Sequence, residues 1–146
     1  MTVGEKIRFY RTEKGLLQKE LAIKSKISES AIRNYELGNR YPNQSQREAI
    51  AAALGISVFA ISDPSFDNEH AIMHAFFELE KEHGLKTKQE NGVSHIDFDS
   101  SVNRSMQQRI TEWAKVAQQV KDGIISEEEY EEWKSTYPAG AVFNKK

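Results

Sequence analysis

The sequence predicts a mainly α-helical chain in two regions, the second interrupted by one β-hairpin. Three observations predict this. Caps and breakers punctuate the first sixty residues at helical spacing. An Asn-Gly pair divides two alternating segments between Leu85 and Phe98. A polar, proline-containing stretch at 62–68, Ser-Asp-Pro-Ser-Phe-Asp-Asn, marks a boundary. The division is a domain at 1–61, a linker at 62–68 and a helical and hairpin region at 69–146.

Each element of the first region has a local reason. Thr2 with Glu5 makes a capping box, Val3, Ile7 and Tyr10 share one face, and Gly15 stops the helix. A second short helix runs from about Gln18 to Lys24 and buries Leu21 and Ala22. Its cap position holds Leu17, which costs on the order of 1 kcal/mol against Ser or Thr. Ser28 caps a third helix that turns Ile32 and Tyr35 inward and ends at Gly38. Tyr41-Pro42 is extended, because a residue before proline avoids the α region. Asn43 caps a fourth helix, Gln44–Leu54, closed by Gly55, and Ser57 opens a last turn through Ile61.

In the second region Glu69–His83 is helical in period, with Ile72, Phe76 and Leu79 on one face and Gly84 at its end. Leu85–Gln89 and Val93–Phe98 pair across Glu90-Asn91-Gly92. Ser100 or Ser101 starts a long helix that ends at Gly123. Ser126 with Glu129 caps a final helix through about Thr136, and the tail from Ala139 to Lys146 frays.

Composition narrows the function. The 146 residues carry a net charge of −2 and 38% hydrophobic residues, with no run of 18 apolar residues to cross a membrane. The start of the chain has no apolar signal core, and the absence of cysteine removes disulfides, thiolate zinc sites and cysteine nucleophiles. A cytoplasmic protein is expected. The total charge conceals an asymmetry: residues 1–60 hold 10 Lys and Arg against 6 Asp and Glu, and residues 61–146 hold 10 against 16. A basic front is suited to an anionic partner.

Two short helices joined at Ser25-Lys26-Ile27-Ser28, the second carrying Glu29, Ser30, Arg33 and Asn34 outward, have the form of a DNA-reading unit. Short polar side chains must reach base edges while basic and amide groups hold phosphates.

From Gly4 to Ile61 the sequence resembles the Cro/phage-repressor type of helix-turn-helix, often called XRE-like. The resemblance rests on Ile7 to Arg11, Gly15-Leu16-x-Gln18, Leu21-Ala22, Ile32 to Glu36, Gly38 before Pro42, and Ala51 to Leu54-Gly55. It implies a five-helix domain that binds double-stranded DNA. Glu29, Ser30 and Asn34 would read bases, with Asn suited to adenine and Glu to the cytosine amine. Gln18, Arg33, Arg40 and Asn43 would contact or position phosphates, Gln18 alternatively bracing the base-reading side chains. Arg11 and Glu36 match a partly buried salt bridge that fixes geometry more than it adds stability. Two departures stand out: Leu17 removes a capping hydroxyl, and Glu29 places a negative charge near DNA.

Met106, Ile110, Trp113, Ala117 and Val120 form a heptad seam along the long helix. The seam suits either an intramolecular core against the Phe76 helix and the hairpin, or a homodimer. Function favours the dimer, since one recognition helix reads few bases. The acidic block Glu127–Glu129, Glu131 and Glu132 beside Tyr130 and Trp133 reads as a solvated helix face, or as a surface for a protein partner. More loosely, 74–138 resembles regions that follow such domains in Gram-positive bacterial regulators.

Enzymatic readings find little support. His70 and His74 have zinc-site spacing, but Ala71 stands where a metalloprotease helix needs its general base, and His83 is no evident third ligand. Self-cleaving repressors carry a β-rich rear domain and a cleavage dipeptide near the linker, whereas here Ala139-Gly140 is near the end. No catalytic residue, metal or cofactor is assigned. The expectation is a dimeric DNA-binding regulator, a repressor; an antitoxin or adaptor whose rear half binds a protein is the alternative.

Overall fold

A computed structural model describes residues 1–138, so the frayed tail expected from Ala139 and the Ala139-Gly140 dipeptide lie outside the described residues. The chain divides into two compact units, Met1–Phe77 and a second from Glu78 onward. Both are mainly α-helical, and one two-stranded antiparallel hairpin lies in the second. Among the described residues no helix is long and apolar enough to cross a membrane.

The first unit contains α1 (Val3–Glu13), α2 (Gln18–Ser25), α3 (Glu29–Glu36), α4 (Gln44–Leu54), a single 3-10 turn at Val58–Ile61, and the first half of α5 (Glu69–His83). Its fifth helical piece is thus that one short turn. Thr2 Oγ1 accepts from the Glu5 amide while Glu5 returns a bond to the Thr2 amide, the reciprocal box that opens α1. Leu17 makes no side-chain cap; Glu20 Oε2 instead accepts from the Leu17 amide at 2.7 Å, which keeps one half of such a box. Ser28 caps α3, Asn43 caps α4, and Gly55 closes α4 in the left-handed conformation.

These helices enclose one apolar cluster: Val3, Ile7, Leu21, Ala22, Ala31, Ile32, Tyr35, Ile50, Ala51, Leu54 and Ile61. Burying a large aliphatic side chain contributes about 1.5–3 kcal/mol against leaving it in water, so this cluster is what holds the helix pair in place. Two residues tighten it in ways that periodicity does not reveal. A Cβ on Gly4 would stand 2.0 Å from the Tyr35 carbonyl oxygen, so α1 and α3 approach more closely than any larger residue permits. Lys6 is buried, and its Nζ donates to the Ser62 carbonyl at 2.8 Å, fastening α1 to the end of the 3-10 turn.

In α5 the buried positions are Ala71 and Ala75, while the Ile72 and Phe76 side chains are half-buried. The His70 and His74 rings lie against Phe59, with centroids 6.5 and 6.0 Å away.

The second unit holds β1 (Leu85–Glu90), β2 (Val93–Phe98), α6 (Arg104–Lys121) and α7 (Glu127–Thr136). The strands pair in register from Leu85 opposite Phe98 to Glu90 opposite Val93. Glu90 therefore belongs to the strand and the turn is the two-residue Asn91-Gly92. Both residues have positive φ, 51° and 77°, the backbone that matches the twist of a hairpin. The long helix starts later than Ser100 or Ser101. Asp99 captures the Ser101 amide and hydroxyl at 2.9 and 2.6 Å, holding that segment in a turn, and Asn103 becomes the cap. Ser126 and Glu129 form the expected box at the start of α7. Helix α6 packs on β2 and α7.

Candidate nucleic-acid interface

The helix pair α2–α3 is set by a tight turn. Lys26 adopts a left-handed conformation with φ of 55°, the Ile27 amide donates to the Ala22 carbonyl at 3.1 Å, and Ser28 Oγ accepts from the Ala31 amide at 3.1 Å. A bulkier β-branched residue at Lys26 would strain there. The turn sends α3 away from α2 with Ile32 and Tyr35 fully buried, so the opposite face is left to solvent.

On that face Glu29, Ser30 and Arg33 are exposed and Asn34 is half-buried. Asn34 leans toward the loop after α3: its Oδ1 accepts from Asn39 Nδ2 at 3.4 Å, a long and weak bond, and its backbone carbonyl accepts from the Asn39 and Arg40 amides at 3.0 and 3.3 Å. The loop is thereby attached to the helix, and Arg40 is held beside it. Arg40 lines a cleft of about 480 Å³ with Lys26, Ser28, Ser45 and Gln46. Asn43 uses its Oδ1 to cap α4, accepting from the Gln46 amide at 2.9 Å.

At the C-terminal end of α3 three residues make one network. Arg11 Nε and Nη2 donate to Glu36 Oε1 and Oε2 at 2.6 and 2.9 Å, and Arg11 Nη1 donates to the Leu16 carbonyl at 2.7 Å. Gln18 Nε2 donates to the same Glu36 Oε2 at 2.9 Å. The Glu36 side chain is 3% exposed and that of Arg11 11%, so the two ions satisfy each other out of water. The hydrogen bond to Glu36 holds the Arg11 guanidinium above its ordinary pKa, against the opposing effect of burial. The network joins α1, the start of α2 and the end of α3, so Gln18 is placed by Glu36. Arg8, Arg11, Gln18, Arg33, Glu36 and Leu37 line a cleft of about 250 Å³ here.

The α3–α4 loop is fastened a second way. Arg47 Nη1 donates to the Pro42 carbonyl at 2.7 Å and its guanidinium lies 5.4 Å from the Tyr41 ring centre. Tyr41 Oη donates to Asp63 Oδ2 at 2.6 Å, and partial burial followed by this bond raises the phenol pKa.

Sequence reasoning did not single out Arg8, Lys26 or Leu37. Arg8 precedes Arg11 by three residues, so helical spacing alone places it on the same side of α1.

In the second unit Met106, Ile110, Ala117 and Val120 are half-buried, Trp113 is 49% exposed, and no residue of α6 or α7 is fully buried. Trp113 Nε1 donates to Tyr130 Oη at 2.6 Å, and Arg109 donates to Tyr137 Oη at 2.6 Å, tying the two helices along an aromatic row. Among the described residues no three His, Asp or Glu side chains converge on a possible metal ion.

Residues 7–61 match the helix-turn-helix family. The chain is 44% identical over 61 residues to the immunity repressor protein of Bacillus phage phi105, covering 42% of each protein. It is 38% identical over 68 residues to multiprotein-bridging factor 1 of Candida albicans, covering 45% of each. It is also similar to the crystal structure of the restriction-modification controller protein C.AhdI from Aeromonas hydrophila, at 32% identity and a TM-score of 0.40, over 41% of this chain and 91% of that one. The match spans less than half the length of either curated relative.

Proposed function

Residues 7–61 form a domain of the helix-turn-helix family, and from that premise we propose that the chain is a sequence-specific transcriptional regulator, a cytoplasmic repressor that binds a short palindrome as a dimer. The observation that carries the reading is the exposed polar face of α3. Glu29, Ser30 and Arg33 have no packing role, while the other face of the same helix is fully buried. Glu29, Ser30 and Asn34 read base edges in the major groove, and Glu29 discriminates in favour of a cytosine amine. Arg33, Arg40 and Asn43 hold phosphates, and Gln18, anchored on Glu36, sets the start of α2 against the backbone. The likeness to a phage immunity repressor favours repression by occluding promoter DNA.

Dimerisation is assigned to the seam Met106, Ile110, Trp113, Ala117 and Val120. The occupant is a second copy, and the charges favour it. Helix α6 carries four Lys and Arg against one Glu, and α7 carries five Glu against one Lys, so two copies can set α6 against the partner's α7. A second reading, an adaptor or antitoxin whose rear half binds a protein, draws on the likeness to a multiprotein-bridging factor and on the acidic face of α7.

Gel shifts on sites selected from random DNA test the assignment. Asn34→Ala is expected to relax one base preference. Arg40→Ala is expected to weaken all sequences alike and to reduce the salt slope by about 1. Identical behaviour of both variants on every sequence would overturn these roles. Co-purification of a second protein bound to α7, without any selected DNA site, would favour the adaptor.

A further inference from the structure

Two guanidinium groups stand uncompensated beside one cleft. Arg8 on α1 and Arg33 on α3 are exposed and both line the cleft of about 250 Å³ next to Gln18. Among the described residues neither side chain makes a hydrogen bond or ion pair. The cleft's third guanidinium, Arg11, is different: Glu36 neutralises it, and Glu36 also accepts from Gln18. That carboxylate accepts from Arg11 and Gln18 and from neither of the other two arginines. The concave surface therefore holds two net positive charges, and their mutual repulsion is relieved when an anion enters. Guanidinium forks fit the non-bridging oxygens of a phosphate better than a lone ammonium does.

We propose that this cleft is a phosphodiester site in which Arg8 and Arg33 clamp one backbone phosphate of duplex DNA. The proposal rests on the DNA-binding reading above and adds a contact from α1, outside the two helices of the reading unit. Arg8 is placed for it by the same helix that carries Arg11. The Arg11–Glu36–Gln18 network fixes the cleft's floor, so the clamp is rigid on one side and mobile only in two side chains. The cleft lining is side chain rather than an array of backbone N–H groups, which favours a phosphate delivered by a bound duplex over a free phosphate ion.

The test is duplex binding by fluorescence anisotropy between 50 and 200 mM salt, concentrations at which phosphate contacts dominate the salt dependence (slope about −0.9 per contact). The duplex is one selected from random DNA, and the proteins are the full chain, Arg8→Gln, Arg33→Gln, their double variant, Arg8→Lys and Lys88→Gln. Arg8→Gln and Arg33→Gln are each expected to shallow the slope, and the double variant to shallow it by about 0.9, while Arg8→Lys keeps it and Lys88→Gln on the hairpin matches the unaltered chain. A single neutral methylphosphonate, moved along the duplex, is expected to abolish the Arg8→Gln and Arg33→Gln effects at the same position. An unchanged slope in Arg8→Gln overturns the clamp, as does an Arg33→Gln loss confined to sequences with one particular guanine. So does inorganic phosphate that displaces DNA beyond its ionic-strength effect, which would make the cleft a free-anion site. If the unaltered chain binds no selected duplex, the underlying reading itself fails, a result distinct from a chain that binds with an unchanged Arg8→Gln slope.

Discussion

The front unit gathers eleven apolar residues into a single buried cluster, whereas Leu85, Phe98 and Ile125 are the buried apolar residues among those described from Glu78 onward. Helical amphipathicity does not account for the contrast, because α6 has an apolar seam as regular as any in the front. The difference is coverage. Helices α1 and α2 each pack on both α3 and α4, while α6 packs on β2 and α7 and leaves Trp113 49% exposed. Val93, Ile96, Val102 and Ile124 are also exposed in the rear unit. A seam of this kind gains stability by covering itself, and large exposed apolar patches mark interaction surfaces. The front unit closes over its own core, whereas the rear unit leaves apolar side chains open to solvent.

Substitutions at glycines break this comparison most directly. Gly4→Ala would drive a methyl group into the Tyr35 carbonyl, and α1 must shift off α3 to admit it. The expected loss is about 3 kcal/mol in the front unit, read from thermal or urea unfolding of the full chain. The same change at Gly92, where nothing lies within 4 Å, meets only the cost of a positive φ, about 1–2 kcal/mol, and that in the rear unit. Equal losses at the two positions would remove the distinction between a closely packed unit and an open one.

A smaller effect is expected from pH. Burial against Phe59, and then the charge of His70, lower the His74 pKa. The folded value lies below that of the unfolded chain, so His74 contributes stability that is present above about pH 6.5 and is lost as pH falls through the lower folded value. Melts of the full chain between pH 7.5 and 5 are expected to show a fall in stability that His74→Gln reduces. An unchanged fall in the variant would place the titration elsewhere.

How much was legible in the sequence follows from the range of each signal. Capping boxes, the Asn-Gly turn and the glycine stops act within a few residues, and the helices of the front unit begin and end where these signals stand. Helix α6 starts later than its serines predict because Asp99, a residue outside the helix, competes for Ser101 and moves the cap to Asn103. Arg11 and Glu36 were readable as a pair through resemblance, but that Gln18 shares the same carboxylate depends on how α2 meets α3. Gly4 and Lys6 gave no local signal at all. Their roles arise where α1 meets the Tyr35 carbonyl and the Ser62 carbonyl, contacts between residues distant in sequence. Similarly, heptad spacing identified the seam, but its exposure depends on neighbours that spacing does not report.

In the proposed function the front unit binds DNA and the rear unit pairs the chains that do so. The mass of the protein–DNA complex on a selected palindrome, measured by sedimentation or light scattering, tests both at once. The account predicts two chains per duplex for the unaltered protein and one for Ile110→Asp, with the isolated variant still folded. One chain per duplex for the unaltered protein, or two for the variant, would contradict it.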